Sequence, residues 1–179
     1  MKPFLVVALG RFLKENSVET VFASFSEFYH SVSYKYQKHS QLILIDRAYN
    51  LRLNRDLAFQ YKIETKTSFL SLRDQEEVEK SYKEGTVLLL PRNINSSSII
   101  KEAFLYGLPV LGFSNSGHDN LLDASSGLKV NFQSEHQAVK AFADNLRILK
   151  YDPEAVKMLK KGAEKRYKTE FTWIRRTGS

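Results

Sequence analysis

The chain has 179 residues, of which 42% are hydrophobic and 12% aromatic, enough for the core of one ordinary globular domain. It has no cysteine, which excludes disulfides and thiolate chemistry, and its four histidines are too scattered for a metal site. The formal charge of +7 favours an anionic partner, either a phosphorylated ligand, an acidic membrane face or nucleic acid. No apolar run approaches the roughly 18 residues of a membrane span, so we expect a cytoplasmic protein.

Six short apolar runs predict β-strands, at residues 4–9, 41–46, 67–72, 86–91, 109–113 and 127–132. Each run is continuous rather than alternating in hydrophobicity, which is typical of strands buried on both faces of a parallel sheet. The first run follows a lysine, as in a signal peptide. Its apolar part is only about six residues long, however, and no small-residue cleavage site follows, so we interpret it as a strand.

Helical periodicity fills the segments between these runs, at residues 17–28, 51–63, 74–85, 97–107, 134–149 and 152–171. Asp74 and Ser134 are predicted helix caps, and Asp152-Pro153 is a typical capped start with proline at the first helical position. The polar, basic and tyrosine-rich residues 29–40 are predicted to be a helix end plus a loop. Alternating strands and helices predict one α/β domain over 1–179, a Rossmann-like doubly wound parallel sheet of about six strands.

Ligands of such sheets bind outside the carboxyl ends of the strands. The stretch after the fourth run is the most suggestive, because strand-ending Pro91 and an Asn/Ser-rich turn lead into a helix that starts among three serines, Ser96 to Ser98. A helix amino terminus with free amides and nearby hydroxyls suits a phosphate. The same serines would also serve as simple caps, which sequence alone favours.

Glu102 is the carboxylate of this predicted helix, and we expect it in the first turns. A carboxylate there gains about 0.3–1 kcal/mol from the helix dipole, so its presence alone implies no function. It could equally accept hydrogen bonds from the vicinal hydroxyls of a ribose. Gly107 is expected to end the helix in a left-handed conformation, with Pro109 preventing its continuation.

Five stretches together are similar to the C-terminal domain of GT-B glycosyltransferases, especially glycosyltransferase family 4. KEAFLYGLPVLGF resembles the E-A-(M/F)-x-x-G-x-P-V-(V/L) segment of the family, and VALGRFLKENSVETVFASF resembles its V-G-R opening. FLSLRDQEEVEKSYKEGTVLLLPRN, GLKVNFQSEHQAVKAFADNLRIL and KYDPEAVKMLKKGAEKRYKTEFTW resemble three further segments in the family's order. The resemblance covers roughly residues 4 to 173.

This resemblance implies a domain that binds the nucleoside diphosphate sugar donor of a retaining glycosyltransferase in glycan, cell-surface polysaccharide or glycolipid synthesis. Donors with uridine or guanosine are typical of the family. By residue-by-residue transfer, Glu102 would bind the ribose, Arg11 with Lys14 the diphosphate, and the amides of Ser97, Ser98 and Ile99 a phosphate. No metal or other cofactor is expected. The acceptor-binding N-terminal half would be a partner outside this chain, so the chain alone should be inactive, and the family leaves a peripheral membrane contact open.

The chain departs from the family pattern at three places. Ile94 stands where a first glutamate would reach the donor sugar, the phosphate lysine aligns with Asn16, so that Lys14 would have to replace it, and residues 116–120 replace a Gly-Gly-x-x-Glu motif. Asn93, Asn95 or Asp119 could fill the missing role in a rearranged loop. The alternative function is a degenerate, non-catalytic binding or scaffold module. Nucleic-acid binding ranks below both, because basic and aromatic residues do not combine in strand motifs.

The closing helix offers two further features. Its basic stretch 160–168 is predicted to be a solvated helix face rather than a membrane patch. Trp173 is predicted to anchor the core or to pack on the acceptor half.

Overall fold

The fold is built on a six-stranded, all-parallel sheet with strand order β3-β2-β1-β4-β5-β6. This computed structural model describes residues 1–10, 17–91, 96–114 and 121–172. The strands are β1 (Phe4–Leu9), β2 (Ser40–Asp46), β3 (Thr67–Ser71), β4 (Val87–Leu90), β5 (Val110–Phe113) and β6 (Gly127–Val130). Each coincides with one of the six apolar runs to within two residues at either end, so the predicted doubly wound α/β class is confirmed.

The helices are α1 (Ser17–Ser31), α2 (Tyr34–Gln37), α3 (Leu51–Gln60), α4 (Gln75–Glu84), α5 (Ser96–Leu105), α6 (Glu135–Tyr151) and α7 (Pro153–Arg166). A single π-helical turn, Tyr167–Phe171, extends α7. The short α2 lies in the segment that the sequence predicted to be a helix end plus loop. That prediction was therefore incomplete.

Two apolar layers sandwich the sheet. Alternate strand residues face opposite sides, so that Val6 and Ala8 point into the layer formed with α1, α3 and α6, and Val7 and Leu9 point into the layer formed with α4, α5 and α7. All four of these side chains are buried. Burial on both faces explains why each strand is a continuous apolar run in the sequence.

Two of the predicted helix caps are confirmed and one is wrong. The Ser134 hydroxyl accepts a hydrogen bond from the Gln137 amide at 3.3 Å, and the Asp152 carboxylate accepts one from the Ala155 amide at 2.9 Å. Asp74 occupies the N-cap position of α4, but its side chain accepts no cap hydrogen bond. Its backbone leaves the extended conformation of a typical N-cap, with φ −86° and ψ 69°.

The turn between α5 and β5 forms as predicted. Gly107 has φ +66°, and its amide donates to the Phe104 carbonyl at 3.0 Å while the Leu108 amide donates to the Ala103 carbonyl at 2.9 Å. This pair of bonds is the Schellman pattern, which satisfies the last carbonyls of the helix. The turn directs the chain straight into β5, next to β4.

Candidate functional site

The strand order creates a crevice at the carboxyl edge of the sheet between β1 and β4. From β1 the chain passes to β2 on one side, whereas from β4 it passes to β5 on the other side. Pairing of Val6 with Val87 and of Val7 with Leu88 places Gly10 level with Pro91 when the register is continued. This point, where the connections diverge, is where open α/β sheets bind ligands.

Helix α5 begins at this crevice. Ile99 and Ile100 are buried in the apolar layer beneath the helix and fix its position, whereas Ser97 is partly exposed and Ser98 exposed. The amides of a first helical turn have no partner within the helix, so those of Ser97, Ser98 and Ile99 are donors for whatever lies in front of them. The structure therefore gathers three of the predicted phosphate-binding positions at one helix end.

Glu102 lies on the exposed face of the same helix, but not in the first turns as the sequence predicted. The helix begins at Ser96 and ends at Leu105, so Glu102 belongs to its last turn. The dipole effect falls off within a turn and has the wrong sign for a carboxylate at this end, so it cannot explain Glu102. Ser98 precedes Glu102 by four residues, and such a pair shares one helix face.

The length of α5 also sets the span of the candidate site. Glu102 follows the first helical residue by six positions, which corresponds to about 9 Å along the axis. Glu102 is exposed and close enough to Tyr106 to contribute to its pKa. Burial, followed by the charges of Glu79 and Glu102, raises the pKa of Tyr106 above its ordinary value. The carboxylate therefore lies about 9 Å along α5 from the amides of the first turn, on the side of Tyr106.

Asp46, at the end of β2, is a carboxylate of the same edge that the sequence reasoning missed. It is 1% exposed and accepts hydrogen bonds from the Arg47 amide at 2.7 Å, the Asn50 amide group at 3.3 Å and the Asn54 amide group at 2.9 Å. A Cβ added to Gly10 would lie 2.3 Å from Asp46 Oδ2. Asp46 therefore supports the residue at which the chain leaves β1. The sequence did contain a signal for Asp46, since it is an acidic residue at the end of the otherwise largely apolar run 41–46.

The end of α7 packs beside α5. Phe171 lies 6.4 Å from Phe104 between ring centroids, and the Lys101 ammonium lies 5.2 Å from the Phe171 centroid. Arg166, with a side chain only 9% exposed, pairs with Asp123 at 3.0 Å and with Glu170 at 2.7 Å. Burial opposes the ionisation of Asp123, but hydrogen bonds from Ser125 and the charge of Arg166 prevail and lower its pKa.

Several predicted residues lie outside the described part of the chain. These are Arg11 and Lys14, Asn16, residues 93–95 including Ile94, residues 116–120 and Trp173. Their predicted roles remain predictions. Their neighbours Gly10 and Ser97 border the crevice between β1 and β4.

Other features of the described residues lie elsewhere or point to no further chemistry. A surface pocket of about 310 Å³ lies at the far end of α5, lined by Lys83, Phe104, Leu105, Tyr106, Glu164, Tyr167 and Lys168. It therefore does not coincide with the amides of the first turn. In the described ranges, no three His, Cys, Asp or Glu residues are grouped to hold a metal ion, and no helix is both long and apolar enough to cross a membrane.

Comparison with solved structures identifies the fold. The pneumococcal O-GlcNAc transferase GtfA, solved in complex with UDP and GlcNAc, matches with a TM-score of 0.72 and 17% identity over 93% of this chain and 32% of its own. Sucrose-phosphate synthase from Thermosynechococcus elongatus matches with a TM-score of 0.75 and 20% identity over 97% of this chain and 42% of its own. The chain thus spans about a third to two-fifths of these two relatives.

A third match shows which part of such proteins the chain resembles. It is the C-terminal domain of a group 1 family glycosyl transferase from Francisella tularensis, with a TM-score of 0.66 and 14% identity over 95% of this chain and 88% of that domain. No protein-family model matches the chain. No curated protein matches it either. The chain therefore has the fold of the C-terminal domain of a GT-B glycosyltransferase.

Proposed function

We propose that this chain is the donor-binding domain of a retaining glycosyltransferase that uses a nucleoside diphosphate sugar in glycan, cell-surface polysaccharide or glycolipid synthesis. The observation that carries the proposal is the position of α5. Its first amides, at Ser97, Ser98 and Ile99, open at the crevice between β1 and β4, and Glu102 follows on its exposed face. The GT-B fold supports the same class of ligand, since GtfA was solved with UDP and GlcNAc.

In this proposal the diphosphate sits at the amino terminus of α5. Amides directed at a phosphate cost no reorganisation when negative charge develops on the leaving diphosphate, so they stabilise the transition state as well as the bound donor. In the proposal Arg11 and Lys14, which follow β1 in the sequence, supply positive charge to the same diphosphate. No metal is required for this arrangement.

Glu102 binds the ribose in this proposal. A carboxylate can accept a hydrogen bond from each of two vicinal hydroxyls, and the dipole of α5 gives no other reason for a carboxylate in the last turn. Glu102 lies roughly 9 Å along the helix axis from the start of α5. In this proposal one ligand therefore contacts the helix twice, with its diphosphate at the amino terminus and its ribose at Glu102. The acceptor-binding half lies outside this chain, so transfer requires the longer protein.

Isothermal titration of the chain with UDP, GDP and ADP tests the proposal. We expect at least one diphosphate to bind, and Glu102→Ala to weaken that binding by about 2 kcal/mol, or about 30-fold, through the loss of hydrogen bonds to a charged acceptor. The control is Glu27→Gln, which alters an exposed carboxylate on α1 in the other helical layer. No binding at millimolar ligand, or binding that Glu102→Ala leaves unchanged, would contradict the proposal and favour the non-catalytic scaffold module.

A further inference from the structure

The surface pocket at the carboxyl end of α5 lies where that helix, the end of α4 and the last turns of α7 meet. Its volume of about 310 Å³ is at the lower end of the range for small-molecule sites. Leu105 and Tyr106, from the end of α5, and Tyr167, from the π-helical turn, give it an apolar lining. Leu105 is 48% exposed, so a ligand with an apolar body would find apolar surface to cover.

The aromatic side chains of the pocket are held by their neighbours. The Tyr106 ring stacks on the buried Tyr82 ring, with 5.6 Å between centroids and 15° between planes. The Tyr167 ring lies 6.2 Å from that of Phe171. Tyr167 also begins the π-helical turn, and single π turns occur frequently at functional sites. Because these rings are already packed, little side-chain freedom is lost when a ligand binds against them.

The part of the pocket next to Gly107 is negative. Glu164 lines it, and a Cβ added to Gly107 would lie 2.8 Å from both Cγ and Oε1 of Glu164, so this side chain lies directly on the turn after α5. The carboxyl end of α5 adds partial negative charge at the same place. Burial lowers the pKa of Lys160, and the charge of Glu164 partly offsets this effect. No cation of the described ranges lies within 4.0 Å of the Glu164 carboxylate, so this part of the pocket suits an ammonium group.

Two lysines line the same pocket from different helices. Lys83, in the last turn of α4, pairs with Glu79 at 2.5 Å, and its ammonium lies 5.9 Å from the centroid of the Tyr106 ring. Lys168, in the π-helical turn, is exposed and forms no ion pair within 4.0 Å in the part of the chain that the structure describes. Glu164 precedes Lys168 by four residues, a spacing at which glutamate and lysine are neighbours on a helix surface. The two do not pair, and both line the pocket.

We propose that this pocket binds a small zwitterion with an apolar body, the chemistry of a hydrophobic α-amino acid. The ammonium group of the ligand pairs with Glu164 beside the carboxyl end of α5. Its carboxylate pairs with Lys168, with Lys83 nearby, and its side chain packs on the rings of Tyr106 and Tyr167. A purely anionic ligand would place a like charge beside Glu164, and a purely cationic one would do so beside Lys168, so a zwitterion accounts for more of the lining.

Titration of the ¹⁵N-labelled chain with L-phenylalanine, followed by NMR of the backbone amides, tests this inference. The pocket and the first amides of α5 lie at opposite ends of a ten-residue helix, about 15 Å apart, so the test does not depend on nucleotide binding. We expect a Kd of about 1 mM, as for a ligand of this size. The largest shift changes should occur at Tyr106, Gly107 and Tyr167, and the amide of Ser97 should stay unchanged. Absence of shift changes at these three amides at about 20 mM L-phenylalanine would overturn the inference.

Three analogues each remove one part of the ligand that the pocket is proposed to recognise. The ammonium group is absent from 3-phenylpropanoate, the carboxylate from 2-phenylethylamine and the ring from glycine. Each analogue should bind more weakly than L-phenylalanine, the first two by about fivefold, because an ion pair at an exposed site contributes up to about that factor. Binding of 3-phenylpropanoate as tight as that of L-phenylalanine, or tighter, would overturn the inference in favour of an anion site. Equal binding of glycine would show that the aromatic walls are not used and would overturn it too.

Two charge variants assign the contacts. Glu164→Gln should weaken L-phenylalanine binding about fivefold without weakening 3-phenylpropanoate, which has no ammonium group, whereas Lys168→Gln should weaken both ligands about fivefold. The matched controls are Glu154→Gln and Lys165→Gln, since both residues are exposed on α7 and neither lines the pocket. The controls should leave both Kd values unchanged. If Glu164→Gln weakens the two ligands equally, or if the controls weaken L-phenylalanine as much as Glu164→Gln does, the proposed ion pair is absent and the inference is wrong.

Discussion

Replacing Gly10 by alanine tests the contact that supports the start of the crevice. The new Cβ would lie 2.3 Å from Oδ2 and 2.6 Å from Cγ of Asp46, closer than real Cβ contacts allow. The backbone of Gly10 is not left-handed, so this contact is the main cost. Asp46 cannot simply turn away, since it is buried and accepts three hydrogen bonds.

The expected loss in the free energy of unfolding follows from the hydrogen bond that the new Cβ would break. Displacing Oδ2 breaks the 2.9 Å bond from Asn54, whose side chain is buried, and a hydrogen bond to a charged group contributes about 1.5–3 kcal/mol. Alanine also reduces the conformational entropy of the unfolded chain, which offsets about 0.4–1 kcal/mol of this loss. We therefore expect a net loss of about 1–2 kcal/mol in the free energy of unfolding, or a fall in Tm of about 2–8 °C.

Urea unfolding followed by circular dichroism measures this loss, and a double-mutant cycle assigns it. In an Asp46→Ala background the obstructing carboxylate is gone, so Gly10→Ala should cost close to nothing there. The coupling between the two substitutions should equal most of the single-variant loss. If Gly10→Ala costs the same in both backgrounds, the contact with Asp46 does not constrain Gly10 and our account of this edge is wrong.

Two other predictions concern the framework. Gly107→Ala should lower the free energy of unfolding by about 1–2 kcal/mol, because φ is +66° at this position. Gly107→Asn should lower it clearly less, because asparagine adopts the left-handed conformation more readily. Equal losses in thermal unfolding would show that the left-handed backbone is not the cause. Tyr61 donates a hydrogen bond to Glu19 at 2.7 Å, and burial together with Glu19 raises its pKa to about 12. The raised pKa stabilises the fold below about pH 10, the unfolded value, and that contribution is lost as the pH passes about 12. Ultraviolet titration checks this, since Tyr61→Phe should remove a phenol that ionises near pH 12, and removal of one that ionises near pH 10 would contradict it.

The sheet could be predicted from the sequence because its hydrophobic signal is local and redundant. A strand such as Phe4–Leu9 is buried on both faces, so every residue in it is apolar and its bounds are visible. The Gly107 turn was equally visible, since a glycine before Leu-Pro leaves few alternatives. Helix α2 was missed because four residues are too short to establish a helical period.

The candidate site was predicted less completely than the sheet, because it depends on where helices and strands end and on which residues pack against them. The start of α5 was predicted to one residue, but its end at Leu105 moved Glu102 from the predicted first turns into the last turn. That shift removed the dipole as an explanation for the carboxylate. Asp46 was missed because its importance comes from Gly10 and Asn54, which packing brings to it and which no sequence spacing indicates.

Titration of the ¹⁵N-labelled chain with UDP, followed by NMR of the backbone amides, tests the central claim most directly. If a nucleoside diphosphate binds at the crevice between β1 and β4, the largest shift changes will occur at Ser97, Ser98 and Ile99, with a further change at Gly10. The amides of Lys38 and His39, at the opposite edge of the sheet, will stay unchanged. Shifts that are absent, or that concentrate at the opposite edge of the sheet, would contradict the assignment of α5 as the phosphate-binding helix.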